Sequence, residues 1–191
     1  MNGNSLKNID TDGLDWATHI KDYQARRFVI DKIRPTLSAL TMFGNSYRTI
    51  EAEQLLLGTA LKESGHFRWR KQLYGGPGRS YYQIEIGAGR TFNDVYNNYL
   101  NYRTSLRNIV NSLGSGFKSI YSLTYNDYYA TAIARIIYRR KSGAIPKTFY
   151  GQSRYWKSKY NTFSGSGTSS SYRWYWRKYV GNDTYGFRYY Y

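Results

Sequence analysis

The chain has 191 residues, enough for one well-cored domain with little room for a second. It has no cysteine and only two histidines, which excludes a disulfide framework and a thiolate metal site and leaves a histidine zinc site or a serine triad without a recognisable set of partners. The net charge is +16, but residues 1–94 hold 13 Lys/Arg against 10 Asp/Glu while residues 95–191 hold 15 against 2, so the C-terminal half suits a polyanion: nucleic acid, an anionic envelope or an acidic protein.

Residues 1–12 are polar and read as an arm. They lack the basic start and apolar run of a signal peptide, and no run of about eighteen apolar residues predicts a transmembrane segment. The spacing of Leu14, Ala17, Ile20, Tyr23, Arg27 and Ile30 predicts an amphipathic helix from about residue 12 to Ile33, stopped near Arg34-Pro35. Thr36 to Phe43 reads as a short helix ended by Gly44-Asn45. A central helix is expected from Thr49, with Glu51 and Glu53 suited to its first turn. Leu55, Leu56, Thr59 and Ala60 face the core, and Gly65 supplies a left-handed cap after Glu63.

Gly75-Gly76-Pro77-Gly78 is a turn. Lys71 and Arg79 flank it, but it lacks the Gly-Lys-Ser/Thr ending of a phosphate-binding loop. Ser80 to Glu85 is β-prone and reads as an extended or hairpin edge. Thr91-Phe92-Asn93-Asp94 resembles a capped helix start, and another helix is expected over 103–113, broken at Gly114-Ser115-Gly116. From Asn126-Asp127, Ala130, Ile133, Ala134, Ile137 and Tyr138 recur at helical spacing, which assigns Arg135, Arg139 and Arg140 to the wet face. Residues 151–160 form a short aromatic and basic helix, Gly165 to Ser171 a connector, and Ser171 to Val180 a last helix. The expected organisation is an arm (1–12), one mainly α domain (13–180) with a short β or extended segment beside a cleft, and a Tyr/Arg-rich contact tail (181–191).

Glu63 is the residue with chemical promise. A carboxyl at the end of an apolar helix can be partly desolvated, which raises its pKa and lets it donate a proton near neutral pH. The alternative is a solvated helix-end carboxylate. The 23 tyrosines, many beside arginine, suit base stacking, sugar faces and wet protein interfaces alike.

Four pieces line up in order: Glu63-Ser64-Gly65; Gly78-Arg79-Ser80-Tyr81-Tyr82-Gln83-Ile84-Glu85; the helix Tyr129 to Arg135; and Tyr160-Asn161-Thr162 followed by Gly165-Ser166-Gly167-Thr168. Over about residues 50–180 this order resembles the lysozyme-like superfamily of goose-type lysozymes and soluble lytic transglycosylases, above all small phage-encoded members. The resemblance implies a lysozyme-like domain that cleaves the β-1,4 bond between N-acetylmuramic acid and N-acetylglucosamine, with no metal or other cofactor.

It implies Glu63 as the catalytic acid, Gln83 in the sugar groove with Tyr82 bulking the wall, and Glu85 as the carboxylate that positions water. Tyr160 and Asn161 are expected beside the acid and the substrate N-acetyl groups. The family's Gly-Leu-Met-Gln is Ser80-Tyr81-Tyr82-Gln83 here, its Asn is unmatched at Ala130 and Thr131, and its Ala-Tyr-Asn-Ala-Gly is reduced to Lys159-Tyr160-Asn161-Thr162. With Glu85 present, these departures favour a hydrolase over a transglycosylase.

The function expected is a virion-associated, peptidoglycan-cleaving enzyme of a phage tail or injection apparatus, acting at the host cell wall or periplasm. Its expected partners are glycan strands, other virion proteins through the Tyr/Arg-rich termini, and DNA or envelope as a non-specific polyanion. Two other readings stand beside it: a structural virion protein that keeps the fold with little activity, and a basic nucleic-acid-binding protein.

Overall fold

The computed structural model describes residues 15–161 and 165–181, so the arm, Thr162 and all of the tail but Gly181 lie outside the described residues. The architecture is mainly helical, with one two-stranded sheet among the described residues.

The first helix begins later than its apolar spacing predicts. Asp15 caps a 3-10 turn, Trp16–His19, and Asp22 caps α1 (Tyr23–Phe28), each carboxylate accepting a backbone N–H. These two caps break the phase counted from Leu14. Ala25, Phe28, Val29 and Ile33 are buried, whereas Tyr23 and Ile30 are exposed. Nor does the helix stop at Pro35. It passes through a π-helical stretch, Val29–Ile33, into α2 (Arg34–Leu40). There the Arg34 N–H donates to the Val29 carbonyl, one residue further back than in an α-helix, which loosens the ladder where the proline ring would otherwise clash.

The central helix, α3 (Ile50–Ser64), keeps its predicted ends: Thr49 Oγ1 accepts the Ala52 N–H, and Gly65 takes φ 63°. It is buried all round from Ala52 to Leu61, more than its expected core face. Glu53 is wholly buried; its Oε2 accepts Trp16 Nε1–H at 2.9 Å and Arg34 Nε–H at 3.0 Å.

A hairpin follows. β1 (Gly78–Arg79) pairs antiparallel with β2 (Ile84–Glu85), Gly78 opposite Glu85, around a turn in which Ser80 and Gln83 take φ 64° and 49°. Then come α4 (Thr91–Asn98), α5 (Thr104–Ser112), α6 (Ile120–Tyr125), α7 (Asp127–Arg139), α8 (Phe149–Trp156), a π-helical turn (Lys157–Asn161) and α9 (Ser169–Tyr179). No side chain caps α4; Asp94 instead pairs with Arg140 and accepts from Asn98. Helix α6, unread in the sequence, is started by Ser119, whose Oγ accepts the Ser122 N–H.

Helices α7, α8 and α9 pack on α3. Helix α9 comes close to α3 at Gly58, where a Cβ would stand 2.0 Å from the Tyr172 hydroxyl oxygen. Arg135 departs from its assigned wet face. It is only 4% exposed, and its guanidinium donates to the Tyr47 and Ser46 carbonyls at 2.9 and 2.7 Å.

Candidate active site

Three pieces of backbone converge at the C-terminal end of α3. The Gly65 cap turns the chain sharply after Glu63. The hairpin is then fastened back to this turn by Gln83, whose Nε2 donates to the Trp69 and Ser80 carbonyls at 2.8 and 2.9 Å. The third piece is the π turn after α8. Its Asn161 packs so tightly on Gly165 that a Cβ there would lie 2.2 Å from the Asn161 carbonyl oxygen.

Between these pieces lies a cleft of about 450 Å³ lined by Glu63, Gln83, Glu85, Arg90, Tyr160 and Asn161, among others. Of the residues expected there, Tyr82 alone does not line it. Its ring is 1% exposed, packed 6.3 Å from that of Phe28, and its hydroxyl is 3.0 Å from Thr131 Oγ1. Burying a large ring whose single polar atom finds a partner outweighs exposing it as a groove wall. Tyr82 still touches the site through its backbone, since its carbonyl accepts the Tyr160 hydroxyl at 2.8 Å.

Glu63 has the electrostatics of an acid. Burial pushes its carboxyl up from 4.5 to about 7, against the opposing pull of the Lys62 and Lys157 ammoniums and the Trp156 and Asn161 side chains. Its Oε1 is enclosed and makes no hydrogen bond of ordinary length among the described residues; the Trp156 and Asn161 groups act on the carboxyl from longer range. A carboxyl poised near neutrality, with an unsatisfied oxygen in a cleft, can carry a proton to a bound ligand and be stabilised as the anion afterwards.

The other side chains are more committed to structure. Glu85 Oε2 accepts from Arg90 at 3.0 Å and is partly exposed, the ion pair that competes with a catalytic role. Gln83 donates its amide hydrogens to two backbone carbonyls, and its oxygen lies over Gly78. Tyr160 stacks on Tyr138 with ring centroids 5.2 Å apart. Asn161 Oδ1 accepts from Lys157 Nζ at 2.9 Å, and the same ammonium donates to the Gly165 carbonyl at 2.7 Å.

Trp156 and Lys157 escaped the sequence reading. Both act on the Glu63 carboxyl, and Lys62 lies over the Trp156 ring at 5.7 Å. Their signal was present: Trp156 and Lys157 precede Tyr160 and Asn161 by one helical turn each, which places both pairs on adjoining faces. Among the described residues no group of three or more His, Asp or Glu side chains is placed to hold a metal ion. Comparison with protein-family models, with curated proteins and with solved structures finds no match to this chain.

Proposed function

We propose that this protein cleaves the β-1,4 bond between N-acetylmuramic acid and N-acetylglucosamine in peptidoglycan, with Glu63 as general acid. The observation that carries the reading is the Glu63 carboxyl: half-buried at the cleft, raised to about 7, and with an enclosed Oε1 that makes no hydrogen bond of ordinary length among the described residues. Protonated Glu63 would give its proton to the glycosidic oxygen as the bond breaks. The carboxylate left behind is favoured by Lys62, Lys157, Trp156 and Asn161, so the surroundings assist the proton's departure.

Glu85 shares the cleft and is the candidate base for the attacking water; one of its oxygens is engaged by Arg90 and the other has no partner among the described residues. An inverting hydrolase places two such carboxyls about 6.5–9.5 Å apart, with water between them. The setting proposed for this activity is a phage particle that opens the host wall locally. Tyr/Arg-rich termini that contact other virion proteins, and a basic C-terminal half drawn to an anionic envelope, belong to the same proposal.

The test is mass spectrometry of fragments released from purified peptidoglycan by the wild-type protein and by Glu63→Gln. Reducing-end fragments from the wild type alone are the expected result; they would mean hydrolysis and support Glu85 as the base. Anhydro-ended fragments would keep Glu63 as acid and remove Glu85 from catalysis. No release by either protein, over several wall types, would overturn the reading in favour of a structural virion protein.

A further inference from the structure

A second and larger cavity, of about 690 Å³, also borders α7. Its wall carries Ser46, Thr49, Arg135, Arg139, Lys141 and Lys147, and one carboxylate, Glu51. Tyr138 lines this cavity and stacks on Tyr160 of the cleft, so the two hollows share an aromatic partition.

The arrangement of the two arginines sets this cavity apart from an ordinary basic surface. Arg135 is almost fully buried, yet its partners are two backbone carbonyls rather than a carboxylate. Arg139 follows one helical turn later, and both guanidiniums flank the Tyr47 ring, at 5.8 and 5.5 Å from its centroid. Neither forms an ion pair among the described residues. Burial and the Arg139 charge together lower the Arg135 pKa to about 10, so it stays charged at neutral pH at a cost that two carbonyl dipoles offset only in part.

Two like charges held together beside a hollow are stabilised by an anion between them. The geometry suits one kind. A planar guanidinium fork matches the oxygens of a tetrahedral oxyanion, and the Ser46 and Thr49 hydroxyls add neutral donors at the same wall. Arg135, Arg139 and Lys141 against Glu51 favour a doubly charged group over a single carboxylate. Lys141 also acts on Asp94, but that carboxylate is already paired with Arg140. The tyrosines of this wall, Tyr138 and Tyr155, are buried, so no exposed ring is offered for stacking a base.

We propose that this cavity is a binding site for a phosphate group, either free or carried as an ester. The proposal stands apart from glycan cleavage, and its test reads binding alone. Thermal unfolding and calorimetric titration are run with inorganic phosphate, with glycerol 3-phosphate as a monoester and with dimethyl phosphate as a diester, at constant ionic strength set with chloride. The wild type should show a saturable rise in Tm and a single class of site with inorganic phosphate.

Arg139→Gln should weaken binding about tenfold, the loss of one charge-assisted hydrogen bond. Arg139 is exposed, so this variant tests the site without removing the buried Arg135. Arg27→Gln, which removes the same charge from α1 outside the cavity, should bind as the wild type does. Monoester binding without diester binding would identify a free or terminal phosphate as the occupant; diester binding of similar strength would identify a phosphate carried within a polymer. The proposal is overturned if chloride alone reproduces the shift, or if Arg139→Gln and Arg27→Gln weaken binding equally.

Discussion

At the scale of single residues, the role proposed for Glu63 would couple activity and stability to one proton. Its carboxyl titrates near 4.5 when solvated and at about 7 in the fold. The folded state therefore binds more protons than the unfolded state between these values. Its contribution is most favourable below about pH 4.5 and falls away as pH rises to about 7; above that the curve is flat. The penalty is about 3 kcal/mol at most, since each tenfold change in proton affinity is worth about 1.4 kcal/mol. Glu63→Gln cannot ionise, so denaturant unfolding should find it no more stable than wild type at pH 4 and more stable at pH 8. Identical pH dependence in the two proteins would place the titration on another group. On peptidoglycan the wild-type kcat/KM should fall about tenfold per pH unit above pH 7, as the acid form is lost. The Gln variant should retain less than about 1% of activity, in keeping with the loss of a general acid. The desolvation of the Glu63 carboxyl was legible from local features, an apolar helix and a glycine cap. Tyr82 was misplaced because the neighbouring Gln83 at φ 49° and the remote Thr131 decide where its ring goes, and neither is visible from the strand-like pattern around it.

At the scale of elements, the contact of α9 on α3 sets how the cleft end of α3 is held. The two helices come close at Gly58, and the Tyr172 hydroxyl above it is buried with no hydrogen-bond partner among the described residues. Gly58→Ala would drive a methyl into that ring and should cost about 1–3 kcal/mol, read from the urea midpoint. Tyr172→Phe removes a desolvated hydroxyl that makes no bond, so it should be neutral or stabilise by about 1 kcal/mol. A Tyr172→Phe protein less stable by more than this would mean that the hydroxyl has a partner. The hairpin offers a second element-scale test. Gln83→Ala frees the Trp69 and Ser80 carbonyls and should loosen the hairpin, raising KM with little loss of stability. Both ends of α3 and the start of α7 were readable because the signals are local in sequence: Thr49 and Gly65 for the one, Asn126 for the other. The face of α1 was not, because Asp15 and Asp22 restart the helix and the π turn shifts its phase again. The burial of Arg135 was hidden for a different reason: its partners are carbonyls of Ser46 and Tyr47, which no helical periodicity can report.

At the scale of the whole molecule, the two ends of the described chain close on each other. The Lys21 and Asp22 N–H groups donate to the Val180 and Tyr179 carbonyls, and Trp16 lies nearly parallel to Trp176 with ring centroids 6.4 Å apart. Glu53 is the tie beneath this closure. Its fully buried carboxylate receives Trp16 from the first turn and Arg34 from α2, with Arg48 3.5 Å away, while Arg34 also grips Asp15. A buried charge cluster of this kind adds little over an apolar replacement, but losing one member strands the rest. Glu53→Gln keeps the shape and removes the charge, leaving Arg34 with Asp15 alone. The expected cost is about 3 kcal/mol, the lower end for a broken buried pair because Asp15 still compensates. Asp15→Asn should cost under about 1 kcal/mol, since that carboxylate is 38% exposed and solvent takes its place. Tryptophan fluorescence in urea distinguishes these cases, because two of the five tryptophans, Trp16 and Trp176, lie at the closure. A single transition at lower urea with an unchanged slope is the expected result for Glu53→Gln, the mark of a cluster that holds the whole fold. Glu53 occupies the first turn of α3 and Glu63 its last, so catalysis by the folded fraction should persist. Loss of activity without loss of stability would instead tie the buried cluster to the cleft.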